Sequence, residues 1–207
     1  MIMNEWLKNT LTLSDACRIT KPLRFNMMFK PVGSLCNLNC AYCYYLDKAE
    51  IYGEEHKMPL DILEKCIKEY LEINDAEEIT FDWHGGEPLL LGLEYFEIIA
   101  KLQNKYKGRK KILNTIQTNA TLINSDFASF FRENDFLVGV SIDGPQYIHD
   151  KYRKDKGAFP TFDKVLRGIE LLHRYGVEFN TLTTINKASE GKGLEVYEFM
   201  KKIGSHY

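Results

Sequence analysis

The sequence predicts an α/β fold in which parallel strands alternate with outer helices. From Arg24 onward, short runs of strand-forming residues alternate with longer segments whose apolar residues recur at helical spacing. A repeated β-α unit implies parallel strands joined by crossover helices. A chain of 207 residues is long enough for one large domain with a sizeable core. The units are therefore expected to form either an open sheet or an arc of a barrel.

The elements follow from the pattern in chain order. Strands are predicted at residues 25–30, 78–83, 112–117, 137–142 and 177–184, and helices at 60–73, 93–106, 125–133, 161–175 and 193–203. Ser125 is the expected N-cap of the third helix, and Gly176 the expected C-cap of the fourth. The first helix is expected to bury one face, formed by Leu63, Cys66, Ile67, Tyr70 and Leu71.

Residues 1–21 precede the repeating pattern and are predicted to form an extension, a short helix followed by a loop. Residues 22–207 are predicted to form the main domain. The chain stops after a helix, at the point where another strand is due, so we expect it to be part of a longer protein.

Composition excludes several classes of protein. Lys plus Arg is 27 and Asp plus Glu is 29, so the basic excess typical of a nucleic-acid binder is missing. The first residues lack the apolar core of a signal peptide, and no run approaches the ~18 apolar residues of a membrane span. We therefore expect a cytoplasmic protein, where thiols stay reduced. Its 5 cysteines then favour metal binding or catalysis over disulfides.

Cys36, Cys40 and Cys43 form a C-x3-C-x2-C cluster directly after the first predicted strand. Loops at the carboxyl ends of parallel strands form the active-site face of such folds. An electron-transfer [4Fe–4S] cluster normally takes four cysteine thiolates, so three would leave one iron open. An open iron can bind the amino and carboxylate groups of S-adenosylmethionine (SAM). Tyr42, next to the last ligand, could pack against its adenine.

A structural zinc site is the alternative for these cysteines. Zinc normally takes four closed ligands, and His56 is the candidate for the fourth. Cys66 lies on an apolar helix face and is expected in the core, while Cys17 in the extension is expected to be a bystander.

Polar or glycine-rich segments follow the other predicted strands. Gly85 and Gly86 would let a ligand approach the backbone, and Glu87 could accept a hydrogen bond from an ammonium group. Ser141 could bond a ribose hydroxyl, and Arg153 could pair with a carboxylate. Gln117, Thr118 and Asn119 would face the same site. Each segment alone is also compatible with a turn or a surface position.

Together these motifs resemble the radical S-adenosylmethionine superfamily and, within it, the anaerobic sulfatase-maturating enzymes. The resemblance covers residues 22–207 and rests on the cysteine motif, on Trp83-His84-Gly85-Gly86-Glu87-Pro88, on Gln117-Thr118-Asn119, on the segment 137–145 and on His149-Asp150 with Arg153. Ala120 stands where the family usually has Gly, and some members carry Gln at the position of His84.

The resemblance implies a partial (β/α)6 barrel, incomplete here because the family continues into a C-terminal domain with further clusters. It implies a [4Fe–4S] cluster on Cys36, Cys40 and Cys43, SAM held by Tyr42, Gly85, Gly86, Glu87, Ser141 and Arg153, and a substrate near Tyr45, His84 and Gln117. The implied reaction oxidises a Cys or Ser of a sulfatase to Cα-formylglycine through a 5′-deoxyadenosyl radical. An electron donor such as flavodoxin or ferredoxin is implied as a partner.

Two alternatives stay open at this point. One is a radical SAM enzyme that modifies another peptide or protein. The other is a zinc-stabilised regulatory or binding module without redox chemistry.

Overall fold

The computed structural model describes residues 23–46 and 57–205. Within them, five strands form one parallel sheet: β1 (Met27–Phe29), β2 (Glu78–Trp83), β3 (Lys111–Thr118), β4 (Phe136–Ser141) and β5 (Phe179–Leu182). The α-helices are α1 (Leu60–Ile73), α2 (Leu93–Tyr106), α3 (Ser125–Glu133), α4 (Gln146–Tyr152), α5 (Phe162–Tyr175) and α6 (Gly193–Lys202). A short 3₁₀ helix spans Pro88–Leu91.

The strands lie in the order in which they occur in the chain, β1-β2-β3-β4-β5, and every neighbouring pair is parallel. Parallel crossovers are almost always right-handed, so connections that always step to the next strand place their helices on the same face of the sheet. A sheet covered on one face in this way curves into an arc of a barrel. The α/β fold class predicted from the sequence is confirmed.

The two faces of the sheet differ in chemistry. In β2, Ile79, Phe81 and Trp83 are buried, whereas Thr80 and Asp82 between them are only half-buried. Because successive side chains of a strand point to opposite faces, the apolar set packs under the helices and the polar set lines the inner face of the arc. The inner face therefore carries groups that could contact a polar ligand.

The core under the helices is rich in aromatic rings. Phe29, Phe81 and Trp83 pack side by side, with ring centroids 5.4 Å apart for the first two and 5.9 Å for the last two. Leu63 and Ile67 of α1 are fully buried in the same core. Burying a side chain of this size stabilises a fold by roughly 1.5–3 kcal/mol. The core thus provides a rigid base for the loops at the strand ends.

Most element bounds match those predicted, and the deviations have local causes. Strands β1 and β5 are shorter than expected, because edge strands pair on one side only. Asn124, rather than Ser125, is the N-cap of α3: its side chain accepts a hydrogen bond from the backbone N–H of Phe127, 2.9 Å away. Gly176 has φ 66° and caps α5 as predicted. Helix α4 was not predicted, since its seven residues carry too short an apolar pattern.

The predicted face of α1 is confirmed. Leu63, Ile67, Tyr70 and Leu71 are buried, and Cys66 is half-buried against the same core. In the described ranges, no helix has the length and apolar character needed to cross a membrane. The extension 1–21 with Cys17, and His56, lie outside the described residues.

Candidate metal and cofactor site

A cavity of about 430 Å³ opens at the carboxyl ends of the strands. This volume lies in the range of sites that bind small molecules or cofactors. Its wall includes all the site residues predicted from the sequence except Glu87, namely Cys36, Cys40, Tyr42, Cys43, Tyr45, His84, Gly85, Gly86, Gln117, Ser141 and Arg153. Segments far apart in the chain therefore meet as the parallel sheet requires.

The segment before Cys36 is held by the loop after β2. The backbone N–H of Gly86 donates to the carbonyl of Gly33, and that of Glu87 donates to the carbonyl of Leu35, both at 2.8 Å. These bonds continue the pairing of β1 with β2 beyond the strands themselves. The first cysteine therefore follows a segment tied directly to the sheet.

The paired glycines are required by this close approach of two backbones. A Cβ at Gly86 would lie 2.0 Å from the carbonyl oxygen of Leu35, and a Cβ at Gly85 would lie 2.9 Å from that of Gly33. Gly85 also has φ 126°, a conformation that side chains rarely adopt. The glycines thus make room for the cysteine loop as well as lining the cavity.

The middle of the cysteine loop is held by the last residue of α4 and by the segment that follows it. The backbone N–H of Asn39 donates to the carbonyl of Lys154 at 2.7 Å, and that of Ala41 donates to the carbonyl of Tyr152 at 2.9 Å. The side chain of Leu38 is buried. The loop is therefore anchored on both sides, and its thiols face the same cavity.

The surroundings of the thiols suit metal binding rather than free thiolate chemistry. Burial raises the pKa of Cys36 to about 11, and burial also raises the pKa of Cys40. Both thiols are therefore protonated at neutral pH until a metal displaces the proton. Within residues 23–46 and 57–205, no three His, Cys, Asp or Glu side chains are arranged to hold one metal ion. Three thiols that line one cavity fit an iron–sulfur cluster, in which each thiolate binds its own iron.

Arg153 is fixed by a buried ion pair. Its Nε donates to Oδ1 of Asp143 at 3.0 Å, and Asp143 is fully buried. The Tyr42 hydroxyl donates to the other oxygen of the same carboxylate, and the Arg153 guanidinium lies 5.5 Å from the centre of the Tyr42 ring. Asp143 thus orients two cavity-lining side chains and leaves the terminal nitrogens of Arg153 available for an anionic group.

His149 contacts the backbone of Asp143 and the side chain of Thr161. Its ring is fully buried; Nδ1 accepts from the backbone N–H of Asp143 at 3.4 Å, and Nε2 lies 3.1 Å from Oγ1 of Thr161. Burial, followed by the charge of Arg153, lowers the pKa of His149 to about 3. A neutral imidazole with its proton on Nε2 satisfies both contacts, which gives His149 a structural part in the site.

In this structure the Glu87 carboxylate bonds groups of the protein itself rather than the ammonium group of a ligand. Its side chain is fully buried; Oε1 accepts from the backbone N–H of Leu89 and from Oγ1 of Thr118, and Oε2 accepts from the backbone N–H of Asn119. Burial raises its pKa to about 7, against the effect of these three hydrogen bonds. In this geometry the carboxylate joins the loops after β2 and β3, and a direct contact with SAM stays a prediction.

The residues predicted on the substrate side, Tyr45, His84 and Gln117, line the same cavity. Nε2 of Gln117 donates to Oγ of Ser141 at 2.9 Å. Nδ1 of His84 accepts from the backbone N–H of Gly85 at 2.7 Å, and burial, followed by the charge of Lys30, lowers the pKa of His84. The imidazole is therefore neutral, with the proton on Nε2. The roles of these residues stay predictions.

Some cavity residues were not singled out from the sequence. Leu182, Thr183 and Thr184 reach the cavity from the end of β5. The signal was present, since two threonines follow a strand just as polar residues follow β3 and β4. Asp143 gives no such signal, because a sequence does not reveal that a carboxylate is buried between an arginine and a tyrosine.

The fold and the site define a class of protein: a barrel-type α/β domain that presents three cysteine thiols beside a cofactor-sized cavity. A family model described as the Radical SAM superfamily matches residues 31–200. The chain belongs to this superfamily.

Curated relatives show which enzymes this chain is similar to. The chain is 48% identical over 189 residues to a serine-type anaerobic sulfatase-maturating enzyme of Bacteroides thetaiotaomicron, which covers 90% of this chain and 45% of the relative. It is 41% identical over 184 residues to a cysteine-type anaerobic sulfatase-maturating enzyme of Clostridium novyi, which covers 86% of this chain and 48% of the relative. The chain thus spans about half the length of the curated relatives it matches.

Two solved structures are similar to this chain in fold. The structure described as "Native anSMEcpe with bound AdoMet" matches with a TM-score of 0.79 and 40% identity, over 84% of this chain and 48% of that one. The structure described as "Native anSMEcpe with bound AdoMet and Cp18Cys peptide" matches with a TM-score of 0.80 and 39% identity, over 87% and 48% of the two chains.

Proposed function

We propose that this chain is the radical SAM domain of an anaerobic sulfatase-maturating enzyme. The observation that carries the proposal is the convergence of Cys36, Cys40 and Cys43 on one cavity that Arg153 also lines. The similarity to serine-type and cysteine-type maturating enzymes supports a sulfatase as the substrate. The target residue is a Cys or Ser, converted to Cα-formylglycine.

In this proposal the three thiols hold a [4Fe–4S] cluster and the rest of the cavity holds SAM. Arg153 receives the methionyl carboxylate, while Tyr42, Gly85, Gly86 and Ser141 line the remaining surface. When bound, the cluster and SAM supply the radical chemistry that oxidises the substrate carbon. The protein binds and orients the cofactor and the substrate.

The substrate is proposed to bind on the inner face of the arc. His84 is neutral and carries its proton on Nε2, so it can donate a hydrogen bond to a bound peptide. Gln117 is oriented by its bond to Ser141, and Tyr45 lines the same cavity. A flavodoxin or ferredoxin is the proposed electron donor. The cytoplasm is the proposed location, because the cluster needs reduced thiols.

Anaerobic reconstitution with iron and sulfide tests the cluster. We expect about four irons per chain for the unaltered protein and for Cys66→Ala, and loss of the cluster in Cys40→Ala. Cys66 is the matched control because it lies against the core, away from the cavity. A colourless protein that contains zinc and no iron would reject the radical enzyme in favour of the zinc-stabilised module.

Anaerobic incubation of the full-length protein with reductant, SAM and synthetic sulfatase peptides tests the substrate. Two peptides that differ only in a Cys or a Ser at the target position separate the two types, and mass spectrometry detects the aldehyde. SAM cleavage without an aldehyde from either peptide would support maturation of a different peptide and contradict the sulfatase assignment.

A further inference from the structure

The loop after β3 contacts the first cysteine of the cluster motif through Asn119. Nδ2 of Asn119 lies 2.9 Å from Oδ1 of Asn37 and 3.7 Å from Sγ of Cys36. The two N–H groups of one amide can serve these two acceptors at once. Asn119 is buried, so neither bond is exchanged freely with water.

The orientation of this amide is fixed by the groups around it. Oδ1 of Asn119 accepts from the backbone N–H of Thr121 at 3.0 Å and from Oγ1 of Thr121 at 2.7 Å. Oγ1 of Thr121 accepts in turn from Nδ2 of Asn37 at 2.9 Å. A flipped amide would lose both bonds from Thr121, so the network keeps Nδ2 directed at the sulfur.

The backbone of Asn119 is fixed as well. Its N–H donates to Oε2 of Glu87 at 2.7 Å, and Glu87 is fully buried. Cys36 also receives a hydrogen bond from the backbone N–H of Leu38 at 3.3 Å. The sulfur therefore has one donor from its own loop and one from the loop after β3.

We propose that Asn119 is a positioning residue for Cys36 that also tunes the reduction potential of the cluster. This inference rests on the proposed function, because it requires a cluster on Cys36. A hydrogen bond to a ligating thiolate disperses its negative charge and favours the reduced cluster, which carries one more electron. The side chain of Asn119 thus raises the potential above the value set by the three thiolates alone.

Redox titration followed by electron paramagnetic resonance tests the proposal on the reconstituted protein. In Asn119→Ser the shorter side chain loses the donor to Cys36, and we expect a more negative midpoint potential with the iron content retained. In Asn119→Asp the acceptor for Thr121 remains while a carboxylate replaces the donor, and we expect a larger negative shift. Asn134→Ser, at the C-terminal end of α3, is the matched control and should keep the original potential.

Thermal unfolding of each variant accompanies the titration, so that a folding defect is recognised separately. A midpoint potential in Asn119→Ser and Asn119→Asp equal to that of the unaltered protein would overturn the inference. Failure of the unaltered protein itself to assemble a cluster would instead contradict the proposed function. The two failures are therefore distinguishable.

Discussion

At the scale of single residues, Asp143 is the group on which the arginine side of the site depends. It is fully buried and accepts hydrogen bonds from Arg153, from Tyr42 and from the backbone N–H of Thr184. A carboxylate in such a place is stable only with its cation, and the cation only with it. The sequence alone presents this residue as part of an Asp-Gly-Pro turn.

Replacing Asp143 by Asn should therefore destabilise the protein strongly. The change leaves the buried guanidinium of Arg153 without its counter-charge, and removing one partner of a buried pair costs about 3–5 kcal/mol. Urea unfolding measures the loss. The control is Asp155→Asn, whose partner Lys164 is partly exposed, and the loss of stability should be clearly smaller. Equal losses for the two variants would contradict the importance assigned to Asp143.

Glu87 should make stability depend on pH. Burial raises its pKa from 4.5 to about 7 in the folded protein, so the folded state binds the proton more tightly than the unfolded state between these values. The contribution of the protonated Glu87 to the free energy of unfolding is fully present below pH 4.5 and is lost as the pH rises through 7. The free energy of unfolding should therefore fall between about pH 5 and about pH 8. We expect this fall to be larger in the unaltered protein than in Glu87→Gln, by on the order of 2 kcal/mol.

Urea titrations at both pH values measure this difference. Glu133→Gln is the control, because Glu133 lies exposed on α3 and, among the described residues, bonds only Ser129. This variant should retain the pH dependence of the unaltered protein. If Glu87→Gln retained it as well, the raised pKa of Glu87 would be refuted.

At the scale of elements, helix α5 approaches the loop after β3 very closely. A Cβ at Gly168 would lie 2.5 Å from the backbone oxygen of Ala120. Ala120 itself has φ 60°, which costs a residue with a side chain roughly 1–2 kcal/mol. Its methyl group is fully buried, and that burial offsets part of the cost. The chain therefore accommodates an alanine in a left-handed conformation at this position.

Gly168→Ala should push α5 away from this loop and lower stability by about 1–3 kcal/mol, the usual cost of overpacking. The comparison is Gly193→Ala at the start of α6, where an added Cβ meets nothing within 4 Å. That substitution should leave stability unchanged or slightly raised. Thermal unfolding distinguishes them, and an unchanged melting temperature in Gly168→Ala would argue against the close packing.

At the scale of the whole molecule, the core and the cysteine loop are separate. The aromatic and aliphatic core lies between sheet and helices, while the loop lies over the carboxyl ends of the strands. The sheet does not need the cluster for its own packing. We therefore expect local, rather than global, unfolding when the cluster is removed.

Hydrogen exchange before and after chelation of iron measures this effect. Backbone amides in residues 33–46 should lose protection, because metal ligation fixes the loop that carries them. Amides of β2 and β3 should keep theirs. Cys40→Ala should reproduce the chelated pattern, and loss of protection throughout the sheet would show that the cluster holds the whole fold together.

The sequence by itself determined the order and type of the principal elements, because alternating strand and helix patterns depend on local spacing. It also determined which segments meet at the site, since the carboxyl ends of parallel strands share one edge of the sheet. The spacing of Cys36, Cys40 and Cys43 and the polar residues after β2, β3 and β4 were sufficient for that. Helix α4 and the cap at Asn124 were not predicted, because short elements carry little periodic signal.

Only the tertiary structure decided what each side chain at the site contacts. It directed the Glu87 carboxylate into the protein, paired Asp143 with Arg153 and Tyr42, and aimed the Asn119 amide at Cys36. Most of these hydrogen bonds join residues far apart in the chain, by 31 positions for Thr118 and Glu87 and by 101 for Tyr42 and Asp143. No local pattern encodes such contacts, because they arise only when the loops from several strands converge.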